Sequence, residues 1–174
     1  MVPVRTAAND LSTGASLRVL MVCTGNICRS PMAEAILRAR VEASDLAGLV
    51  RVDSAGTHRY HVGEDADRRA RSVLAESGYP LAHRARQFQP DWFAARDVIL
   101  AMDSGHLRDL RDLAGRAGAP ADHVRLIREF DPAGPGDIPD PYYDTIVEFR
   151  EVRRILERTM PSLLDHLRTL MDQP

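Results

Sequence analysis

The chain contains no lysine, so all 23 of its basic residues are arginine. A nucleotide-binding loop of the GxxxxGK[ST] type needs a lysine at the phosphates, and Schiff-base enzymes need one to form the imine. The missing lysine therefore excludes both classes, together with any mechanism that uses a lysine general base.

Cysteine is scarce, with two residues in 174, and no hydrophobic run approaches the length that crosses a bilayer. A formal net charge of −2 points neither to nucleic acid nor to a membrane surface as a partner. Residues 1–16 lack the pattern of a secretory signal and predict a disordered extension before one domain over 17–174. These features predict a cytoplasmic protein.

Short apolar runs alternate with segments of helical periodicity along the chain. Strands are predicted at 17–23, 50–55, 97–102 and 124–127. Helices are predicted from Pro31, over 67–76, from Asp103 or Ser104, and over 145–170, where Pro161 should kink or divide the last one. The alternation predicts an α/β domain with a parallel sheet, whose ligands bind beyond the carboxyl ends of the strands.

Cys23 lies at such a strand end and begins a Cys-x5-Arg segment that leads into a predicted helix. A loop in this position turns successive backbone N–H groups inward and forms a cradle for an anion. Arg29 adds a planar fork that matches two phosphate oxygens, and the positive surroundings stabilise a thiolate. Phosphoryl transfer to sulfur needs this combination. The alternative is that Cys23 is a buried strand cysteine and Arg29 a surface residue.

The segment VCTGNICRSP resembles the active-site signature of low-molecular-weight protein tyrosine phosphatases of the bacterial type. The resemblance spans residues 17–170 and continues through 54–57 (SAGT), 61–63 (HVG), 83–87 (HRARQ), 102–103 (MD) and 140–143 (DPYY). It implies one three-layer domain, in which helices flank a four-stranded parallel sheet of flavodoxin-like topology. It also implies that phosphotyrosine and aryl phosphates are hydrolysed through a phosphocysteine, without metal or cofactor.

The resemblance gives Cys23 the role of nucleophile and Arg29 that of binding the phosphate and the transition state. The implied phosphate-binding loop consists of Thr24, Gly25, Asn26, Ile27, Cys28 and Arg29. Phosphotyrosine proteins are the implied substrates, and a cognate tyrosine kinase is a candidate partner.

Three polar residues are implied to support the loop. Ser30 would donate a hydrogen bond to the Cys23 sulfur. Asn26 would adopt a left-handed backbone, which Asn tolerates better than most residues, and Ser30, Ser54 and His83 would hold it there.

A phenolate leaving group is helped by a proton, so a carboxylic acid should face the cleft. The candidates in the late Pro- and Gly-rich loop are Asp131, Asp137, Asp140 and Asp144. Residue chemistry leaves all of them open, because each could be a simple loop residue. The resemblance selects Asp140, which alone belongs to the DPYY motif.

The implied substrate cleft has Tyr142 and Tyr143 as an aromatic wall, with Ile27 on the loop side. Tyr60 stands where many bacterial relatives have tryptophan, and Asp144 stands where glycine is usual. Both departures concern substrate preference. The histidines outside the supporting set, His58, His61, His106, His123 and His166, show no metal-ligand spacing.

Two other functions fit parts of the pattern. Arsenate reduction occurs on the same fold, but it needs further thiols for a disulfide relay, and Cys23 and Cys28 are the only cysteines. A non-catalytic phosphotyrosine-binding module would need the loop alone, whereas nucleophile, arginine, serine and candidate acid occur together here. The two cysteines also predict a redox switch in the loop, unless Cys28 is only a packing residue.

Overall fold

The computed structural model of the chain describes residues 16–173. The predicted N-terminal extension, apart from residue 16, lies outside the described residues. The sheet has four parallel strands in the order β2-β1-β3-β4. They are β1 (Leu17–Cys23), β2 (Val50–Gly56), β3 (Val98–Ala101) and β4 (Val124–Leu126). This arrangement confirms the predicted α/β fold with flavodoxin-like topology.

The helices are α1 (Arg29–Glu42), α2 (Arg68–Glu76), α3 (Trp92–Ala95), α4 (Ser104–Ala117) and α5 (Ile146–Met171), and a 3₁₀ turn spans Ile127–Phe130. Their starts follow from local capping. The side chains of Asp67 and Asp103 accept hydrogen bonds from the first turns of α2 and α4, and Thr145 forms a capping box with Glu148 at the start of α5.

Two helix predictions need correction. Helix α1 begins at Arg29, so Pro31 lies within its first turn, where a missing N–H costs no intrahelical bond. Helix α5 runs without a break past Pro161 instead of being divided there. Its apolar face is buried on both sides of the proline, at Met160 and Leu163 for example, and this packing holds both halves in one helix.

Each face of the sheet packs against its own layer of helices. Along β1, Val19, Met21 and Cys23 belong to the core that includes α1, α2 and α5, whereas Leu20 and Val22 belong to the core that includes α3 and α4. Cys23 thus ends a strand that is buried from Val19 onwards, on the face beneath α1. Within residues 16–173, no helix is both long enough and apolar enough to span a membrane.

Candidate active site

A tight loop connects the end of β1 to the start of α1. Cys23 is the last residue of the strand, and Cys28 is the N-cap of the helix. Asn26 has the left-handed backbone, with φ 57°, and no other non-glycine residue in the described range has a positive φ. Gly56 passes so close that a Cβ there would lie 2.6 Å from the Thr24 carbonyl oxygen. Any residue with a side chain at position 56 would therefore collide with the loop backbone unless the loop shifted.

A buried hydrogen-bond network holds Asn26 in place. Its amide nitrogen donates to the hydroxyls of Ser30 at 2.8 Å and Ser54 at 2.9 Å. His83 Nε2 donates to the Asn26 carbonyl oxygen at 2.6 Å, and the Arg86 backbone N–H donates to the side-chain oxygen at 3.0 Å. Both polar atoms of the Asn26 side chain and its carbonyl oxygen are engaged, so four partner residues stabilise the strained conformation.

The network also determines the direction of the hydrogen bond at the sulfur. The Ser54 hydroxyl donates to the buried carboxylate of Glu34, so its oxygen must accept from Asn26. Asn26 also donates to the Ser30 oxygen, which leaves the Ser30 hydrogen free for another acceptor. The Cys23 sulfur is the nearest one, at 2.9 Å. Ser30 therefore donates its hydrogen to the Cys23 sulfur.

Arg29 is buried, with only 3% of its surface exposed. Hydrogen-bond acceptors on neighbouring residues fix the orientation of its guanidinium. Nη1 donates to Asp103 Oδ2 at 2.8 Å and to the Ile138 carbonyl oxygen at 3.0 Å, and Nη2 lies 3.5 Å from Asp140 Oδ2. These contacts orient the guanidinium before any substrate binds.

An open cavity of about 180 Å³ lies above the loop. It is lined by Cys23, Thr24, Gly25, Ile27, Cys28, Arg29, Tyr60, His61, Asp140, Tyr142 and Tyr143. The two adjacent tyrosines meet edge to face, with ring centroids 4.8 Å apart, and Tyr60 stacks on His58 at 5.0 Å. The structure thus brings the predicted nucleophile, phosphate-binding arginine, acid and aromatic residues to one cavity.

The other acidic candidates of the late loop lie elsewhere. Asp131 is buried and receives hydrogen bonds from Arg158 at 2.8 and 2.7 Å and from Arg128 at 3.1 Å. The bonds from Arg158 are the main cause that lowers the pKa of Asp131 to about 2. Asp137 accepts from the backbone N–H of Ser104 at 2.9 Å, and neither it nor Asp144 lines the cavity.

Sequence spacing indicated no role for His106, which the structure places directly behind the loop. Its Nε2 lies 2.8 Å from the Thr24 hydroxyl, and its Nδ1 lies 3.2 Å from Asp103 Oδ1. Burial lowers the pKa of His106 to about 4, so the ring is neutral near pH 7. The MD motif could have indicated Asp103 as a site residue, but no local signal identifies His106.

The sequence patterns indicate no role for His61 either, but the structure places it in the cavity wall. A Cβ on Gly25 would lie 2.8 Å from the His61 ring, so only glycine fits there without a shift. Cys28 is buried, and burial raises the pKa of its thiol. In the described part of the chain, no group of three or more histidines, cysteines or acidic residues could hold a metal ion.

Comparisons with known proteins agree with this geometry. The family model described as low molecular weight phosphotyrosine protein phosphatase matches residues 18–172. A low molecular weight protein-tyrosine-phosphatase of Streptomyces coelicolor is 53% identical over 154 residues, which cover 87% of this chain and 93% of that protein.

Solved structures show the same fold. A protein tyrosine phosphatase from Entamoeba histolytica, with Hepes in its active site, superposes with a TM-score of 0.83 at 34% identity and covers 88% of this chain and 98% of its own. The YwlE arginine phosphatase of Geobacillus stearothermophilus superposes with a TM-score of 0.77 at 34% identity, covering 91% and 98%. The chain belongs to the low molecular weight phosphotyrosine protein phosphatase family.

Proposed function

We propose that the chain hydrolyses phosphotyrosine in proteins through a covalent phosphocysteine on Cys23. One observation carries the proposal. Cys23, Arg29 and Asp140 line the same cavity, and the Ser30 hydroxyl lies 2.9 Å from the Cys23 sulfur. A nucleophile, an anion-binding fork and a candidate acid thus share one small space, as phosphoryl transfer to sulfur requires.

In the first step, the Cys23 thiolate attacks phosphorus and forms the S–P bond. The bond between phosphorus and the tyrosyl oxygen breaks, and Asp140 gives its proton to the departing phenolate. Arg29 and the backbone N–H groups of the loop bind the non-bridging oxygens, where negative charge is concentrated in the transition state. The free tyrosine side chain then leaves the cavity.

In the second step, water attacks the phosphorus of the phosphocysteine. The Asp140 carboxylate takes a proton from that water, the S–P bond breaks, and inorganic phosphate is released. The hydrogen bond from Ser30 stabilises the thiolate as a leaving group in this step. Asp140 therefore acts first as an acid and then as a base, and the enzyme returns to its starting state.

The position of Asp140 supports this double role. Its side chain is half exposed at the cavity mouth, and it lies 3.5 Å from Arg29 Nη2. A phosphate that binds Arg29 therefore lies beside Asp140, where this carboxyl can exchange a proton with the leaving oxygen and with water. Asp131 has the opposite surroundings, because its arginine partners hold it in the ionised form.

The shape of the cavity favours an aromatic phosphate ester. Cys23 is 3% exposed at its base, whereas Tyr143 is 91% exposed at its rim. We expect a phenyl phosphate to reach Cys23 between Tyr60, Ile27 and the tyrosine pair, and the shorter side chain of phosphoserine not to reach it. One structural relative is named an arginine phosphatase, so phosphoarginine is the competing substrate class.

The decisive experiment combines trapping with matched peptides. Rapid acid quenching during turnover of p-nitrophenyl phosphate should yield phosphate bound to Cys23. The Cys23→Ala variant should yield neither protein-bound phosphate nor p-nitrophenol. Peptides of one sequence should be hydrolysed when they carry phosphotyrosine, but far more slowly with phosphoserine or phosphoarginine. EDTA should not change these rates. Turnover by Cys23→Ala would overturn the mechanism, and faster release from phosphoarginine would overturn the substrate class.

The proposed chemistry also suggests a cellular setting. The thiolate has to stay reduced, which favours the reducing cytoplasm. A tyrosine kinase has to supply the phosphorylated substrates, so a cognate kinase is the expected functional partner.

A further inference from the structure

Arg69, on α2, contacts the backbone of the loop that carries Asp140. Its Nη1 donates to the Asp144 carbonyl oxygen at 2.6 Å, and its Nη2 donates to the Tyr142 carbonyl oxygen at 2.9 Å. Among the described residues, no other side chain outside residues 139–144 hydrogen-bonds to the backbone of that segment. Arg69 therefore connects the backbone of residues 139–144 to the body of the domain, while Arg29 contacts the Asp140 carboxylate and the preceding Ile138 carbonyl oxygen.

The opposite side of the same guanidinium faces Asp67. Arg69 Nε and Nη2 donate to the two Asp67 carboxylate oxygens at 3.0 and 2.9 Å. The backbone N–H of Asp67 in turn donates to the Ile27 carbonyl oxygen at 2.8 Å, within the phosphate-binding loop. A short chain of hydrogen bonds therefore joins the loop of the nucleophile to the loop of the acid.

Packing restricts the guanidinium further. Its Cζ lies 4.5 Å from the centre of the Phe149 ring, which is fully buried at the start of α5. Both edges of the Arg69 guanidinium donate hydrogen bonds, one edge to the Asp67 carboxylate and the other to the carbonyl oxygens of Tyr142 and Asp144. Lysine could keep the charge beside Asp67, but it could not reproduce the divergent donors.

From these contacts we propose that Arg69 is a positioning residue, which sets the distance between Asp140 and the Cys23 loop. The inference rests on the proposed role of Asp140 as the acid. Arg69 lies outside the cavity lining and acts only through the backbone at Tyr142 and Asp144. A displacement of about 1 Å at a reacting group can cost ~10²-fold in rate, so loss of this connection should impair proton transfer.

The test compares two esters that differ in their need for an acid. Phenyl phosphate releases a basic phenolate, whereas 2,4-dinitrophenyl phosphate releases an anion that leaves without a proton. In Arg69→Gln, kcat/KM should fall by about 10-fold or more for phenyl phosphate and stay nearly unchanged for the dinitrophenyl ester. Adding Arg69→Gln to Asp140→Asn should cause little further loss, because the residue to be positioned is already disabled.

A control and a second variant separate positioning from stability. Arg150→Gln breaks the ion pair with Glu76 between α5 and α2 without touching either loop, so both esters should react normally. Arg69→Lys, which can keep a positive charge beside Asp67, provides the same ester comparison if Arg69→Gln does not fold, and its selective loss should be intermediate.

The outcomes distinguish the two proposals. Equal losses of Arg69→Gln on both esters, or a full additional loss in the Asp140→Asn background, overturn the positioning role alone. If Asp140→Asn itself shows no preference for the dinitrophenyl ester, the acid assignment fails and the role of Arg69 fails with it. A selective loss in both single variants, without additivity, supports both.

Discussion

The phosphate-binding loop is almost wholly buried, whereas the segment that carries Asp140 is largely open to solvent. Asn26 and Ser30 are 0% exposed, and Tyr143 is 91% exposed. The first loop is held by side chains from several elements, including Ser54 from β2 and His83 from the α2–α3 connection. The second has few contacts with the domain, and Arg69 supplies two of its hydrogen bonds.

This difference matches the tasks of the two segments. Charge builds up on the phosphoryl group in the same place for every substrate, so its binding groups gain from being fixed in advance. In the proposed mechanism the acid and the aromatic walls have to admit a protein side chain and release it, which suits their place on an exposed loop. Substitutions in the buried loop should affect every ester, and substitutions in the exposed loop should affect esters unequally.

Among the substitutions that compare the two loops, the largest effect is expected at Arg29. In Arg29→Lys a point charge replaces the planar fork, and Asp103 and Ile138 lose an oriented donor. We expect kcat/KM to fall by at least ~10³-fold, as for other arginines that stabilise phosphoryl transfer. The loss should be equal for phenyl and dinitrophenyl phosphate. A loss confined to one ester would break the distinction between the two loops.

Asp140→Asn should slow the enzyme less and selectively. We expect kcat/KM for phenyl phosphate to fall by about 10²-fold, the lower end for general acid catalysis, because water reaches this half-exposed site. The dinitrophenyl ester should be nearly unaffected. Asp137→Asn is the matched control from the same loop. Asp137 accepts a hydrogen bond from the backbone N–H of Ser104, the first residue of α4, and does not line the cavity. The same selective loss in Asp137→Asn would reassign the acid.

Two substitutions of Asn26 distinguish the effect of backbone strain from the effect of side-chain hydrogen bonding within the buried loop. Asn26→Gly keeps the left-handed backbone and loses only the side-chain bonds, whereas Asn26→Ala loses both. The left-handed conformation costs alanine about 1–2 kcal/mol, so Asn26→Ala should be roughly 10-fold less active than Asn26→Gly. Steady-state kinetics on p-nitrophenyl phosphate measures the difference. Equal activities would mean that the backbone conformation is not held by this residue.

Asp131 should affect stability instead of catalysis, although it lies in the same late segment as Asp140. Its lowered pKa, about 2 in the folded protein against an ordinary value of 3.8, corresponds to about 2 kcal/mol of stability. Because the folded value is the lower one, this stability is present above pH ~5 and is lost as the pH falls towards 2. Urea unfolding of wild type and Asp131→Asn should therefore differ at pH 7 and converge in acid. A difference that does not change with pH would contradict this.

The smallest effect concerns Cys28. If the two cysteines form a redox switch, mild peroxide inactivates the enzyme, dithiothreitol restores it, and peptide mapping finds a Cys23–Cys28 disulfide. Burial raises the pKa of the Cys28 thiol, so capture of an oxidised Cys23 should be slow and recovery only partial. Recovery should fall further in Cys28→Ser. Equal recovery in both proteins would leave Cys28 as a packing residue.

Much of the fold was predictable because its signals are local. The strand ending at Cys23 shows as a short apolar run that contains two valines, and the caps at Asp67, Asp103 and Thr145 lie directly before their helices. The prediction that Pro161 could divide the last helix was wrong, because the contacts that decide the matter are not local. The local cost of the proline is offset by buried contacts at Met160 and Leu163, whose partners lie elsewhere in the chain.

The sequence by itself determined the strand, loop and helix around Cys23, since the chemistry of a Cys-x5-Arg loop depends on neighbouring backbone N–H groups. The DPYY motif selected Asp140 by resemblance alone, and the tertiary structure supplied the physical difference from Asp131, because the two differ in which arginines reach them across the fold. It also decided that His106 lies behind Thr24 and that Arg69 holds Tyr142 and Asp144, contacts with partners 73 to 82 residues away. Such pairings depend on how the strands and helices are arranged in space, and local residue patterns do not encode that arrangement.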